Sequence, residues 1–233
     1  MLWLLMFSWV ANSQTYYPLF DSVYRQVPTE KHAVVYDSII KVTVREKGYE
    51  TAALMSIDFC MKYYKAGQYT KALGYAQEAV ASLEAAGKKN PLFAKTMFQV
   101  GVLQNKAGYS ARAIATLQEV INADIDPNRT ARAHCQIGAI YYDLADYYQA
   151  ARFYQKGLFL LGPDKVNSYI QGQSLNLCGV YTRIEDASYR EAHLTLLKKI
   201  EKSHESLPLK PLRYNLLQNN FANYYTLPEV YDF

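Results

Sequence analysis

The stretch Tyr141–Gln155, YYDLADYYQAARFYQ, carries five tyrosines and a phenylalanine in fifteen residues. Rings at that density form either an aromatic surface for a ligand or a core, and the choice fixes the fold. The surrounding sequence favours core, because the pattern recurs. ADYYQAARFYQKGL (Ala145–Leu158) aligns with GQYTKALGYAQEAV (Gly67–Val80) and GYSARAIATLQEVI (Gly108–Ile121). Each has a small residue, an aromatic or Ser two later, Ala three after that, and an apolar or small residue four further on. Seven residues upstream of each first small residue stands another, Cys60, Gly101 and Gly138.

A two-part pattern of this kind predicts paired helices. Small residues let two helices approach closely, while Tyr and Phe at i, i+3, i+4 and i+7 fill the gap to the next pair. One pair cannot bury its apolar face alone, so stacking of successive pairs drives folding.

The pattern resembles the tetratricopeptide (TPR) repeat, in which a small residue and a Tyr sit on helix A, a Gly ends it, and Tyr-x-x-Ala opens helix B. The matching residues are Cys60, Tyr63, Gly67, Tyr69, Ala72 and Ala79; then Gly101, Gly108, Ala113 and Leu117; then Gly138, Tyr141, Tyr147, Ala150 and Tyr154. The resemblance implies an all-α fold, a right-handed superhelical solenoid of antiparallel helix pairs. Three departures stand out: Gln104 where the helix A Tyr is expected, Ala145 in place of the turn Gly, and a long period. Cys60 to Gly101 is 41 residues, Gly101 to Gly138 is 37 and Gly138 to Cys178 is 40, against about 34 for the family. The surplus is expected in helix B and its exit loop, where Ala85–Pro91 and Ile125–Asn128 carry cap and turn chemistry. A fourth, degraded unit has Cys178 and Tyr181 on helix A and Tyr189-Arg190-Glu191-Ala192 opening helix B.

These marks divide the chain. Residues 1–13 read as a signal peptide, 14–28 as an irregular segment and 29–206 as the array. Within it lie a lid-like helix over 29–47, capped by Thr29 and ended near Gly48, and units at about 53–91, 94–127, 131–163 and 171–206. Residues 212–233 read as helix A of an incomplete fifth unit, with Ala222 and Tyr225 in the family positions. Its apolar stripe of Leu217, Phe221 and Tyr225 is expected to be uncovered. That leads to two expectations: the chain is the N-terminal part of a longer array, or it self-associates through this half-repeat.

The leader MLWLLMFSWVANS is apolar from Leu2 to Val10 and ends in Ala11-Asn12-Ser13, with small residues where a signal peptidase cuts and Gln14 next. It lacks the positive n-region, since no Lys or Arg precedes Arg25. It is far shorter than the roughly 20 residues of a spanning helix, so the expected location is exported, periplasmic or cell-surface, in a bacterium; without cleavage it is cytoplasmic. A net charge of +4 with interspersed cations and acids argues against nucleic acid.

No phosphate loop, nucleophile elbow or H-E-x-x-H motif is present. Cys60, Cys135 and Cys178 form an odd, widely spaced set without metal-ligand spacing, so neither a disulfide scaffold nor a metal or other cofactor is expected. His134 and Cys135 are adjacent and would point about 100° apart on a helix, which excludes a dyad. His32, His193 and His204 are expected to be solvated. Asn128-Arg129-Thr130 is a formal glycosylation sequon, but Asn128 is expected to cap the next helix A. Asp21-Ser22-Val23 and Asp37-Ser38-Ile39 resemble the D-S/T-apolar O-glycosylation sites of some exported bacterial proteins.

In the TPR family helix A lines a concave face that grips extended peptides or helices. Carried over position by position, the resemblance places Tyr64, Lys65, Lys95, Gln99, Asn105, Lys106, Arg132, Gln136, Tyr142, Asn176, Asn219 and Asn223 toward that groove. Amides can bond a peptide backbone regardless of its sequence, and Lys95, Lys106 and Arg132 suit acidic side chains or a terminal carboxylate. The first function implied is a non-enzymatic protein- or peptide-binding scaffold. The second is the sensory arm of a larger enzyme, because Tyr63–Ala72 resembles the long-period units that precede caspase-like CHAT peptidases, and similar exported arrays precede histidine kinases.

Overall fold

The computed structural model describes residues 26–28, 31–162 and 165–226. The described residues are helical throughout with no strand, and they fall into two compact units meeting at Lys88 and Lys89.

The first unit holds α1 (His32–Lys47), α2 (Tyr49–Lys65) and α3 (Tyr69–Ala85). Gly48, at φ 84°, ends α1 and starts α2, a backbone conformation open to Gly at no steric cost. Lys31 stands at the N-cap of α1 and makes no side-chain cap bond; Thr29, the expected cap, lies outside the described residues. Tyr36 of α1 inserts between Phe59 of α2 and Tyr75 of α3, with ring centroids 5.2 and 4.5 Å away. Tyr63 stacks on Tyr75 at 5.2 Å. The buried Tyr36 hydroxyl is hydrogen-bonded with Ser56 Oγ at 2.7 Å. Offset and edge-to-face ring pairs of this kind add about 1 kcal/mol each beyond their area burial.

The second unit runs through α4 (Pro91–Lys106), α5 (Ser110–Ala123), α6 (Pro127–Asp143), α7 (Tyr147–Leu161), α8 (Ser168–Tyr181), a 3₁₀ turn (Ala187–Tyr189), α9 (Arg190–Ser206) and α10 (Pro211–Thr226). Each helix packs on the next along the chain, and α4, α6, α8 and α10 also touch in sequence. The even-numbered helices are thus the A layer of this unit, and α5, α7 and α9 are its B helices. The close approaches are made at the small residues the repeat pattern picks out. A Cβ on Gly101 would lie 2.7 Å from Leu117 Cγ, and one on Gly138 would lie 2.8 Å from the Tyr154 ring.

Three A helices, α4, α6 and α8, begin with side-chain caps. Asn90 accepts from the Phe93 N–H, Asp126 from Asn128 and Arg129, and Asn167 from Tyr169 and Ile170. Asp126, not Asn128, therefore caps α6, correcting the expectation for Asn128. Pro127 has no N–H and a preset φ, so it takes the first helical position and the residue before it becomes the cap.

The A-to-B turns repeat one geometry in both units. Gln68 N–H bonds Tyr63 O at 2.9 Å, Tyr109 N–H bonds Gln104 O at 2.8 Å, and Asp146 N–H bonds Tyr141 O at 2.9 Å. The residue inside each bend has positive φ: Gly67 at 72°, Gly108 at 86° and Ala145 at 60°. Left-handed backbone costs a residue with a Cβ about 1–2 kcal/mol, so the alanine that departs from the repeat pattern is a strained substitute. Ala145→Gly is expected to stabilise the fold by about 0.5–1 kcal/mol after the larger entropy of the unfolded glycine is allowed for. A chemical-denaturation midpoint that fails to rise would show the turn is relaxed.

Several expectations are corrected here. His193 is not solvated: it is 2 % exposed, between Tyr181 of α8 and Tyr224 of α10. His204 is half-buried, and its Nδ1 accepts the Leu209 N–H at 2.9 Å, tying the end of α9 to the linker before α10. Leu217 is fully buried in a cluster with Leu175, Cys178, Leu197 and Ile200, and Phe221 is half-buried against it. Only Tyr225 of the expected uncovered stripe is exposed. The face of α10 that carries Leu217 and Phe221 is the one it lays on α8 and α9.

Candidate partner-binding groove

The sequence-predicted groove residues divide between the two units. Tyr64 and Lys65 lie at the end of α2, both exposed, with the Tyr64 ring 5.8 Å from that of Tyr69. The other ten are on the A helices of the second unit. Lys95 and Lys106 are exposed on α4, and Gln99 and Asn105 are half-buried beside them; Arg132, Gln136 and Tyr142 are half-buried on α6. Asn176 of α8 and Asn219 and Asn223 of α10 are exposed. Contact between successive A helices brings these rows side by side.

The fold holds some of these groups and leaves others open. The Asn105 carboxamide oxygen accepts from Ser110 Oγ at 3.2 Å, fastening the turn into α5. The Asn176 amide nitrogen donates to Gln173 Oε1 at 3.5 Å. The Tyr142 ring sits 5.6 Å from Tyr147. Arg132 lies over the Tyr169 ring with its guanidinium carbon 4.2 Å from the centroid, a cation–π contact that fixes the side chain without neutralising it. Its Nε is buried and has no acceptor among the described residues. The salt bridges among the described residues involve none of Lys95, Lys106 and Arg132.

Tyr169, the residue that orients Arg132, was not among the predicted ones. Only the packing of α8 on α6 brings the two together, and no feature of the sequence near Tyr169 signals it. Gln104, which departs from the repeat pattern, is 8 % exposed, and its carboxamide oxygen has no partner among the described residues. It is therefore a packing residue of α4, more deeply buried than Tyr63 and Tyr141 at the equivalent position.

The His134–Cys135 pair is resolved by geometry. Cys135 is 1 % exposed, and its sulfur lies where a Cβ on Gly157 would fall. Burial pushes its thiol up to about 12, so it carries essentially no nucleophilic thiolate at neutral pH. The His134 ring turns instead toward Phe153, at 5.8 Å, and its pKa is lowered by burial and then by the charge of Lys156. Cys60 and Cys178 are buried as well, with thiols raised by burial, Cys60 to about 11. Among the described residues no group of three or more His, Cys, Asp or Glu is placed to hold a metal, and no helix is long and apolar enough to cross a membrane.

No family model and no curated protein matches this chain in sequence. Solved structures do match in fold. The apo form of RapI superposes with a TM-score of 0.64 at 15 % identity, over 89 % of this chain and 81 % of that one. BtubC (BKLC) from P. vanneervenii gives 0.63 at 16 % identity, over 83 % and 79 %. The nearly identical TPR-like repeats of a Podosopora anserina kinesin light chain give 0.56 at 10 % identity, over 73 % and 92 %. The fold of this chain is accordingly that of the TPR-like helical repeat arrays.

Proposed function

We propose that this chain is a non-catalytic scaffold that binds an extended, acidic peptide or protein segment across the A-helix face of its second unit. The observation that carries the reading is Arg132. Its guanidinium lies over the Tyr169 ring with the buried Nε lacking an acceptor, on a face where Lys95 and Lys106 also find no acid among the described residues. A carboxylate meeting such a group makes a charge-assisted bond without first breaking an existing ion pair. The amides of Gln99, Gln136, Asn219 and Asn223 can bond a peptide backbone whatever its side chains. We also propose that residues 1–13 direct export and are removed, leaving Gln14 first; N-terminal sequencing of the mature protein reads this directly.

The binding test uses the full chain with labelled acidic, neutral and basic peptides of equal length. Acidic peptides are expected to bind, more weakly as salt rises, and a Lys95→Glu/Lys106→Glu/Arg132→Glu variant is expected to lose at least about tenfold in affinity. A melting curve on the variant separates lost binding from lost folding. Equal affinity for basic and acidic peptides, or an unaffected folded variant, overturns the reading.

A further inference from the structure

A cavity of about 490 Å³ opens at the end of the second unit where α8 begins and α9 ends. It is lined by Lys165 and Val166 from the linker, Ile170, Gln171 and Ser174 from α8, and Lys199, Ile200, Lys202, Ser203, Glu205 and Ser206 of α9. None of the twelve groove residues contributes. Its size falls in the range of about 300–1,000 Å³ typical of small-molecule sites.

The lining is chemically sorted. Val166, Ile170 and Ile200 supply apolar walls, Lys165 and Lys202 stand around the space, and Glu205 is the one carboxylate among its described lining residues. The Lys165 stem is laid down beside Gly162, where a Cβ would come within 3.2 Å of its Cδ. Inside, Gln171 is 4 % exposed, and its amide nitrogen donates to Ser203 Oγ at 3.0 Å and to Leu207 O at 2.9 Å. Those donors are committed, and they brace α8 against the end of α9. Ser174 differs: it is 6 % exposed and lines the cavity, yet its hydroxyl makes no hydrogen bond among the described residues. That hydroxyl can therefore donate to an acceptor placed in the cavity.

We propose that this cavity is a binding site for a small aliphatic carboxylate. Its hydrocarbon body lies on Val166, Ile170 and Ile200, while its carboxylate accepts from the Ser174 hydroxyl and is neutralised by Lys165 and Lys202. The cationic rim selects the anion and the apolar walls select its tail, so an inorganic anion or an uncharged alcohol meets only half of the site.

The experiment titrates the full chain with octanoate, following amide chemical shifts, with octanol, octylamine and inorganic phosphate as comparison probes. Octanoate is expected to saturate and to shift residues 165–174 and 199–206, with octanol and phosphate each at least about tenfold weaker and octylamine not bound. Lys165→Gln/Lys202→Gln, two exposed positions, is expected to weaken octanoate about tenfold while leaving octanol unchanged. Ser174→Leu, which fills the cavity, is expected to block both. No saturable shift with octanoate, octylamine or phosphate binding as tightly, or octanoate affinity unchanged in the double lysine variant overturns the proposal. Since the groove variants touch none of these residues, the site and the peptide-binding reading stand or fall separately.

Discussion

Tyr154→Ala is expected to lower the unfolding free energy by about 3–4 kcal/mol, the cost of emptying an aromatic site in a packed core. The ring is 2 % exposed and sits among Ala131, Cys135, Ala150, Ala151, Leu177 and Val180, over the space that Gly138 leaves free. Backbone cannot collapse into that space, because α6 and α7 are already held at contact distance by Gly138 and Gly157. Tyr154→Phe keeps the ring and removes only the hydroxyl, so a loss of at most about 1 kcal/mol is expected. Tyr148, six residues earlier and 55 % exposed, is the control: its alanine variant should change stability by less than about 0.5 kcal/mol. Urea midpoints with unchanged slopes give all three values. Similar losses at Tyr148 and Tyr154 would show that the aromatic run is not divided into core and surface.

Acid should unfold the second unit through His193. Burial lowers the His193 pKa from the ordinary 6.5 to about 4. Tyr181 and Tyr224 face the ring from α8 and α10, and Nε2 has no partner among the described residues. Arg190 lies over the Tyr224 ring at 5.3 Å, and a cation there offers a proton no stabilisation. Because the folded pKa lies below the unfolded one, the unfolded chain takes up the proton first. Stability is complete above about pH 6.5 and falls as the pH drops toward 4, by about 3 kcal/mol in all. His134 acts in the same direction, so the measurement is the difference between the wild type and His193→Leu in unfolding free energy from pH 7 to pH 4. The variant is expected to show a shallower decline; parallel curves would mean that His193 titrates normally.

The interior of the repeats was readable because their rules are local. A small residue at a fixed offset from Tyr-x-x-Ala specifies a close helix pair whatever lies beyond, and Cys60, Gly101, Gly138 and Cys178 all proved buried or tightly approached. The rings of Tyr141–Gln155 sort the same way. Tyr154 is core, Tyr141 stacks on Phe153 at 5.5 Å, and Tyr142 stays half-buried on the A-helix side. The groove was less legible. A helix position can be assigned to a face by counting, but the state of its side chain depends on its neighbours. Nothing near Arg132 in the chain announces that Tyr169 will lie beneath it.

The sequence alone determined the helix pairing, the turns with their left-handed residue, and the positions where helices touch, since each follows from periodicity and from backbone preferences over a few residues. Tertiary structure decided what polar residues do on an otherwise ordinary helix. His193 reads as solvent-facing and is buried because Tyr224 of the following helix closes over it, and Gln171 is buried because the end of α9 and the linker after it close over it. It also decided that Leu217 is core and that Ser174 opens onto a cavity, because burial is a property of which faces meet, and the meeting partner lies a whole repeat away.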